Sequence, residues 1–326
     1  MAAAAPLIAG FDAGQTHTTC RLAWLNAQGA PESLADGDGR GVSHLAAPGG
    51  EARFQAALRS ALAAALAAAG LPVDQPLMAA AVGASGIEQG SGVQERGAQL
   101  AAEALGLGRA AVLVTGDERT ALHGAFGNGA GVLVISGTGC IALGRGADGR
   151  SHRCGGWGWL LDGAGSAFDI GRDGLALSVQ MADGRLADSP LRTALWQALG
   201  AGSPQDVKAA VVAEGFAPAG FARLAPLVEA QARAGDAQAQ AVISRSAEAL
   251  AAMVAAVAQE LELAAPAVCG VGGALEHLVG LRQAFAQALH QRCPQAHLAE
   301  PAGDAAAGAL ALAAALAGGE AQPLSC

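Results

Sequence analysis

The chain is predicted to be an α/β protein built from two similar halves, and three observations carry that prediction. An apolar run, a turn of small residues and a second apolar run occur at 7–25 and again at 131–145. Behind each copy, strand-like runs alternate with segments of helical period. The length, 326 residues, suits one large or two medium domains.

In chain order, Leu7 to Phe11 is a buried-strand run, Asp12-Ala13-Gly14-Gln15-Thr16 a turn, and Thr19 to Leu25 the returning strand, with a third strand before residue 38. Glu51 to Ala69 follows as a helix, because Phe54, Leu58, Leu62 and Leu66 recur at helical spacing and Gly70 stops it. Leu77 to Val82 reads as a strand, Val93 to Leu105 as a helix and Ala111 to Thr115 as a strand, with a short helix over 118–126. The second half repeats the order with strands at 131–136, 140–145 and 151–154, helices through 164–262, strands near 266–269 and 296–299, and a helix at 280–291 between them. The helical excess of 164–262 is an insertion. Ala302 to Ala317 is the final helix, rich in small residues that permit close packing. The Gly-rich junction near 116–130 is a candidate hinge.

Composition narrows the function classes. Lys+Arg 19 against Asp+Glu 28 gives a net charge of −9, with Lys208 the only lysine and no basic run. Nucleic acid is therefore not an expected partner, since that binding rests on clustered cations. Hydrophobic content is 52%, but alanine dominates it and no apolar run approaches the ~20 residues that span a bilayer. Met1 to Leu7 has no basic residue and no adequate apolar core for a secretory signal. Cysteines at 20, 140, 154, 269, 293 and 326 form no CxxC and no metal-spaced cluster. They read as thiols of a reducing cytoplasm.

Chemistry enters at the two turns. Ser136-Gly137-Thr138-Gly139 joins two apolar strands through residues that leave backbone N–H groups and two hydroxyls free for an anion. The 12–16 turn repeats the arrangement and adds Asp12, a ligand type suited to Mg²⁺ directly or through water, or else a turn cap. Two such hairpins suit a polyphosphate better than one. Asp117 follows the strand Val112 to Val114, so it falls at a strand's carboxyl end, where open α/β sheets place ligands; the alternative is an N-cap for 118–126. Gly155-Gly156-Trp157-Gly158 sets an indole among flexible glycines, and Cys269 to Ala274 is a glycine-rich strand-to-helix turn.

These residues carry a resemblance. DAGQT at 12–16 resembles the first phosphate motif of the sugar kinase, actin and heat-shock chaperone superfamily, and SGTG at 136–139 the second. GGWG at 155–158, GDERTALHGA at 116–125, CGVGGAL at 269–275 and PAGDAAAGALALA at 301–313 are similar to the N-acetylglucosamine and bacterial glucosamine kinase group of the BadF/BadG/BcrA/BcrD ATPase family. The resemblance implies two ribonuclease H-like lobes, an actin-like ATPase fold, with an ATP/sugar cleft between them. Residues 1–118 with 303–326 would form the first lobe and 119–302 the second, the terminal helix crossing back to the first.

It also implies an ATP- and Mg²⁺-dependent kinase acting on the 6-hydroxyl of glucosamine or N-acetylglucosamine, cytoplasmic, homodimeric and free of membrane. Asp117 would be the base. Asp12, Gly14, Gln15, Thr16, Gly137, Thr138 and Gly139 would surround the phosphates, with Mg²⁺ on Asp12 through water and Gly272 and Gly273 beside the nucleoside. Ser43, His44, Ser85, Asp117, Gly156, Trp157, Gly158 and Asp162 would face the sugar, with a core position as the alternative for the tryptophan. Relatives usually read Gly-Asp-Glu-Gly-Ser where this chain has Asp162-Gly163-Ala164-Gly165-Ser166; Asp162 then serves the sugar hydroxyls or caps a helix starting near Ala164. His44 or Ser43 stands where relatives carry an asparagine. Two further functions stay open: an activator ATPase of a reductase or dehydratase, which would need a convincing Cys pair for a shared iron–sulfur cluster, and a sugar or nucleotide sensor without turnover.

Overall fold

The computed structural model describes residues 5–319. In chain order the elements are β1 (Leu7–Ala13), β2 (His17–Leu25), β3 (Pro31–Arg40), α1 (Gly50–Ala68), β4 (Ala79–Ala84), α2 (Gly92–Leu105), β5 (Val112–Gly116) and α3 (Asp117–Phe126). The second series is β6 (Gly131–Ser136), β7 (Cys140–Arg145), β8 (Ser151–Gly155), α4 (Ala167–Ala182), α5 (Pro190–Leu199), α6 (Pro204–Val212), α7 (Ala217–Ala222), α8 (Ala225–Arg233) and α9 (Ala237–Glu260). It closes with β9 (Ala267–Val271), α10 (Gly273–His277), α11 (Val279–Arg292), β10 (His297–Leu298) and α12 (Ala305–Ala317).

The chain divides into two compact units, one running to Gly129 and resuming at Pro301, the other spanning Ala130–Glu300. The sequence reading put the boundaries at 118/119 and 302/303. They differ because α3 belongs to the first unit, where it packs against α12 so closely that a Cβ on Gly124 would lie 2.0 Å from the Asp304 carbonyl oxygen and one on Gly308 1.9 Å from that of Thr120. Most of the supposed hinge at 116–130 is this helix.

Each unit holds a five-stranded mixed sheet, ordered β3-β2-β1-β4-β5 in the first and β10-β9-β6-β7-β8 in the second. Read from the meander edge, the two orders coincide. In both, three strands form an antiparallel meander and the first of them pairs in parallel with a strand that arrives after a helical crossover. β1 extends beyond its apolar run through Asp12 and Ala13, which pair with Thr19 and Thr18.

In the first unit the sheet is covered on both faces. Phe11, Leu22, Phe54, Leu58, Leu66 and Val82 form one apolar layer, and Ile8, Ala79, Ala81, Leu310 and Ala313 another. The second layer is thin because α12 lies directly on β1: a Cβ on Gly10 would come 2.3 Å from the Leu310 backbone nitrogen. In the second unit, α9 supplies Val242, Leu250, Val254 and Val257 to a core shared with Val132, Val134 and Ala142 of the sheet and Leu281 and Phe285 of α11. Against the sequence expectation, α9 is long and apolar enough to cross a membrane, with mean hydropathy 1.5 over its best window, but 56% of that window is buried inside the protein. It is the central core helix.

Candidate active site

In the first unit the parallel strands β1, β4 and β5 run in register, with Asp12 beside Gly83 and Gly83 beside Thr115. Their carboxyl ends therefore coincide, and each releases a predicted site residue there. β1 ends beside Asp12 and turns through Gly14, Gln15 and Thr16, of which the last two are exposed. The 41–44 segment lies against this turn: the Val42 N–H donates to the Gly14 carbonyl at 2.9 Å, and a Cβ on Gly41 would lie 2.1 Å from the Gln15 carbonyl oxygen. After β4, the Ser85 N–H donates to the Ala13 carbonyl at 3.1 Å, while the Gln15 amide reaches the Ser85 hydroxyl at 3.4 Å. His44 packs over Gly86, and its Nδ1 accepts from the Ala46 N–H at 3.2 Å. With Nδ1 accepting, the ring N–H is at Nε2.

β5 delivers Asp117 as the first residue of α3, after an N-cap Gly116 that has no side chain to offer. The N-cap alternative for Asp117 is thus corrected: its Oδ1 accepts from the adjacent Glu118 N–H at 3.0 Å and stays at the strand end. Burial raises the Asp117 carboxyl above the usual range, opposed by a side-chain hydrogen bond with Glu118. Burial, and then the Asp117 charge, push Glu118 up to about 7. Asp12 is raised to about 6 by burial, then by Asp117, with Asp304 adding and His17 opposing.

Sequence reasoning missed Glu118 and Asp304. The Glu118 carboxylate folds back over Gly116, where a Cβ would sit 2.2 Å from its oxygen; in sequence it is one more acid in a first turn. Asp304 caps α12 by accepting from the Ala307 N–H at 2.8 Å, and Arg21 holds it at 2.8 Å.

The donor set suits a cation that brings ligands of its own. Among the described residues no group of three or more His, Cys, Asp or Glu side chains is arranged to hold a metal ion. Asp12, a single carboxylate in a neighbourhood where Asp117 and Asp304 add negative charge, fits a Mg²⁺ ion whose other ligands would be water and phosphate oxygens.

In the second unit, Ser136 and Cys140 pair across the β6–β7 turn. The Ser136 hydroxyl is buried and donates to the Gly165 carbonyl at 2.7 Å, and the Ala167 N–H donates to the Gly137 carbonyl at 2.8 Å. The Cys140 thiol contacts the Ala164 carbonyl at 3.1 Å. The turn and the 164–167 loop are thereby one piece, with Thr138 and Gly139 left exposed. Gly272, at φ +93, lies over Ser136, where a Cβ would be 2.6 Å from the carbonyl oxygen. This explains a glycine there and brings Gly272 onto the start of the 136–139 turn, with Gly273 next to it opening α10.

Gly155, Gly156 and Gly158 have φ of +76, +75 and +86. Trp157 is 60% exposed, which removes the core alternative. Asp162 does not cap a helix: α4 begins at Ala167 under Ser166, whose hydroxyl accepts from the Asp169 N–H at 3.2 Å. The Asp162 N–H instead donates to the Gly158 carbonyl at 2.9 Å, and its carboxylate lies 3.6 Å from where a Gly155 Cβ would be. Burial, then Asp162, pushes the Cys140 thiol up to about 12, a protonated state unsuited to metal binding. Cys326 lies outside the described residues.

Two mixed sheets of one topology, each with a glycine-containing turn at the end of its central strand, define an actin-like ATPase fold of two ribonuclease H-like lobes. The BadF/BadG/BcrA/BcrD ATPase family model matches residues 9–313, and the chain belongs to that family. It is 28% identical over 204 residues, 62% of this chain and 67% of the relative, to an N-acetylmuramic acid/N-acetylglucosamine kinase of Clostridium acetobutylicum. It is 33% identical to an N-acetyl-D-glucosamine kinase of Dictyostelium discoideum over 138 residues, which is 41% of this chain and 42% of that one. A crystal structure from Chromobacterium violaceum, provisionally assigned as an N-acetylglucosamine kinase, superposes with a TM-score of 0.74 at 32% identity, covering 96% of this chain and 99% of its own.

Proposed function

We propose that the protein is an ATP-dependent kinase that transfers the γ-phosphoryl group to the 6-hydroxyl of an amino sugar, glucosamine or N-acetylglucosamine. The observation that carries the reading is Asp117: a carboxylate just past the carboxyl end of β5, near enough to Asp12 at the end of β1 to raise it, and with its own basicity raised by burial. Raising a carboxyl toward neutrality makes it a better proton acceptor at working pH. Kinship with curated amino-sugar kinases supports the substrate class.

In this reading Asp117 takes the proton of the sugar hydroxyl as its oxygen bonds to the γ-phosphorus. The bond from that phosphorus to the β,γ-bridging oxygen breaks, and the electron pair leaves with ADP. Backbone N–H groups of the 14–16 turn and of Thr138 and Gly139 would donate to phosphate oxygens, and Thr138 adds a hydroxyl; the Gly137 N–H instead closes its own turn by donating to the Gly139 carbonyl at 2.8 Å. A Mg²⁺ ion held on Asp12 through water would neutralise phosphate charge. Gly272 and Gly273 admit the nucleoside close to backbone. Ser43, His44, Ser85, Gly156, Trp157, Gly158 and Asp162 form the sugar side, His44 offering its Nε2–H where relatives offer an amide.

ADP release over a panel of free sugars, repeated with Asp117→Asn, tests the reading. The wild type is expected to turn over with an amino sugar and the variant to lose about 10²–10⁴-fold. Wild-type turnover by the variant would remove Asp117 as base. Sugar binding without ADP release by the wild type would identify the sensor instead.

A further inference from the structure

The turn that carries Trp157 is built from glycines in conformations that other residues rarely adopt, with φ of +76 at Gly155, +75 at Gly156 and +86 at Gly158. Such a segment is among the most costly to order, because glycine has the most freedom to lose. Something outside the turn has to fix it, and one side chain does so at three points.

Arg153, on β8, donates from Nη2 to the Gly156 carbonyl at 2.8 Å and from Nε to the Gly155 carbonyl at 3.2 Å. Its guanidinium carbon also lies 4.7 Å from the centroid of the Trp157 ring. The planar fork ties two successive carbonyls while its face meets the indole, a combination open to arginine and not to lysine. Trp157 nonetheless stays 60% exposed. Its neighbour Trp159 rests edge-on against Phe168, with centroids 5.4 Å apart, so the two tryptophans have different work. Trp159, 45% exposed, leans on an aromatic ring, whereas Trp157 leans on a cation and is the more exposed of the two.

We infer that Arg153 is a positioning residue for the sugar, setting the Gly155–Gly156 carbonyls and the Trp157 ring in the orientation that receives the apolar face of a pyranose. The inference rests on the amino-sugar kinase reading. It adds a residue that would not itself contact the substrate and would act through the turn.

The test compares wild type with Arg153→Met, which keeps the length of the side chain and loses its donors and charge, and Arg153→Lys, which keeps charge without the fork. The sugar KM, the ATP KM and Tm are measured for each. Arg153→Met is expected to raise the sugar KM about tenfold and the ATP KM less than about twofold, with Arg153→Lys between it and wild type. Equal sugar KM in a folded variant and in wild type overturns the inference, as does an equal rise in both KM values. Should the Met variant not fold, the Lys variant alone decides by the same split. Wild-type turnover is measured first: an inactive wild type sinks the kinase reading, while an active wild type with indifferent variants sinks only Arg153.

Discussion

Replacing Glu118 with Gln isolates the electrostatics at the start of α3. Glu118 lies half-buried beside Asp117, and its carboxyl is raised from 4.5 to about 7 by burial and then by the Asp117 charge, with Arg119 opposing. At about 1.4 kcal/mol per pH unit, ionising it in the folded protein costs up to roughly 3 kcal/mol. Below pH 4.5 the acid is protonated whether folded or not, so no penalty exists. Between 4.5 and about 7 the folded state keeps a proton that the unfolded state releases, and stability falls as pH rises. Above about 7 the full penalty is present. Gln never ionises and can still donate to Asp117, so Glu118→Gln should match wild type near pH 4.5 and become more stable toward pH 8. At roughly 2 °C per kcal/mol for a chain of this size, the Tm gain reaches about 6 °C. Calorimetry at intervals from pH 4.5 to 8 reads it. A constant difference between variant and wild type across that range refutes the argument.

Three further outcomes follow. Asp117→Asn removes the proposed base and should lower sugar-dependent ADP release by about 10²–10⁴-fold while ATP binding, read by calorimetry, stays within about threefold. Gly10→Ala sets a Cβ 2.3 Å from the Leu310 nitrogen and 2.8 Å from the Ala306 carbonyl oxygen, so α12 has to shift; a loss of about 1–3 kcal/mol is expected in denaturant melts. Ser136→Asp puts a carboxylate where a buried hydroxyl donates to the Gly165 carbonyl, and should cost about 2 kcal/mol or more, read as a lower Tm.

Much of the fold was legible because short buried strands and the long helices declare themselves by period. The repeat at 7–25 and 131–145 fixed the class. What stayed hidden has local causes. Hydropathy ends β1 at Phe11, whereas pairing with Thr19 and Thr18 carries it through Asp12 and Ala13. The 164–262 stretch read as helices without boundaries because alanine blurs the apolar stripe, although Ser189-Pro190 and Ser203-Pro204 are cap and first-turn signals that do open α5 and α6. At the site, Asp117 was legible from its place after an apolar strand. Glu118 was not, since an acid in a helix's first turn is ordinary, and its character comes from folding back on Gly116. Arg153 was invisible for a different reason: its role depends on carbonyl directions in a left-handed glycine turn.

On the proposed kinase reading, the duplication also says where the chemistry would reside. β1 and β6 hold the same place in their sheets, each between its hairpin partner and a parallel strand. β1 ends beside Asp12, raised to about 6 by burial and by neighbouring acids. The equivalent end of β6 carries Ser136, buried and committed to the Gly165 carbonyl. One copy therefore keeps a carboxylate of the type a divalent cation takes, with the proposed base Asp117 near it. The other has given its polar side chain to bracing the 164–167 loop, and at the turn itself leaves the neutral residues Thr138 and Gly139 exposed. A pure phosphate clamp would need no such division, since backbone N–H groups from both turns would suffice. Concentrating Asp12, Asp117, Glu118 and Asp304 in one unit is what a transfer reaction needs, because its cation and its base act on the same acceptor and phosphorus.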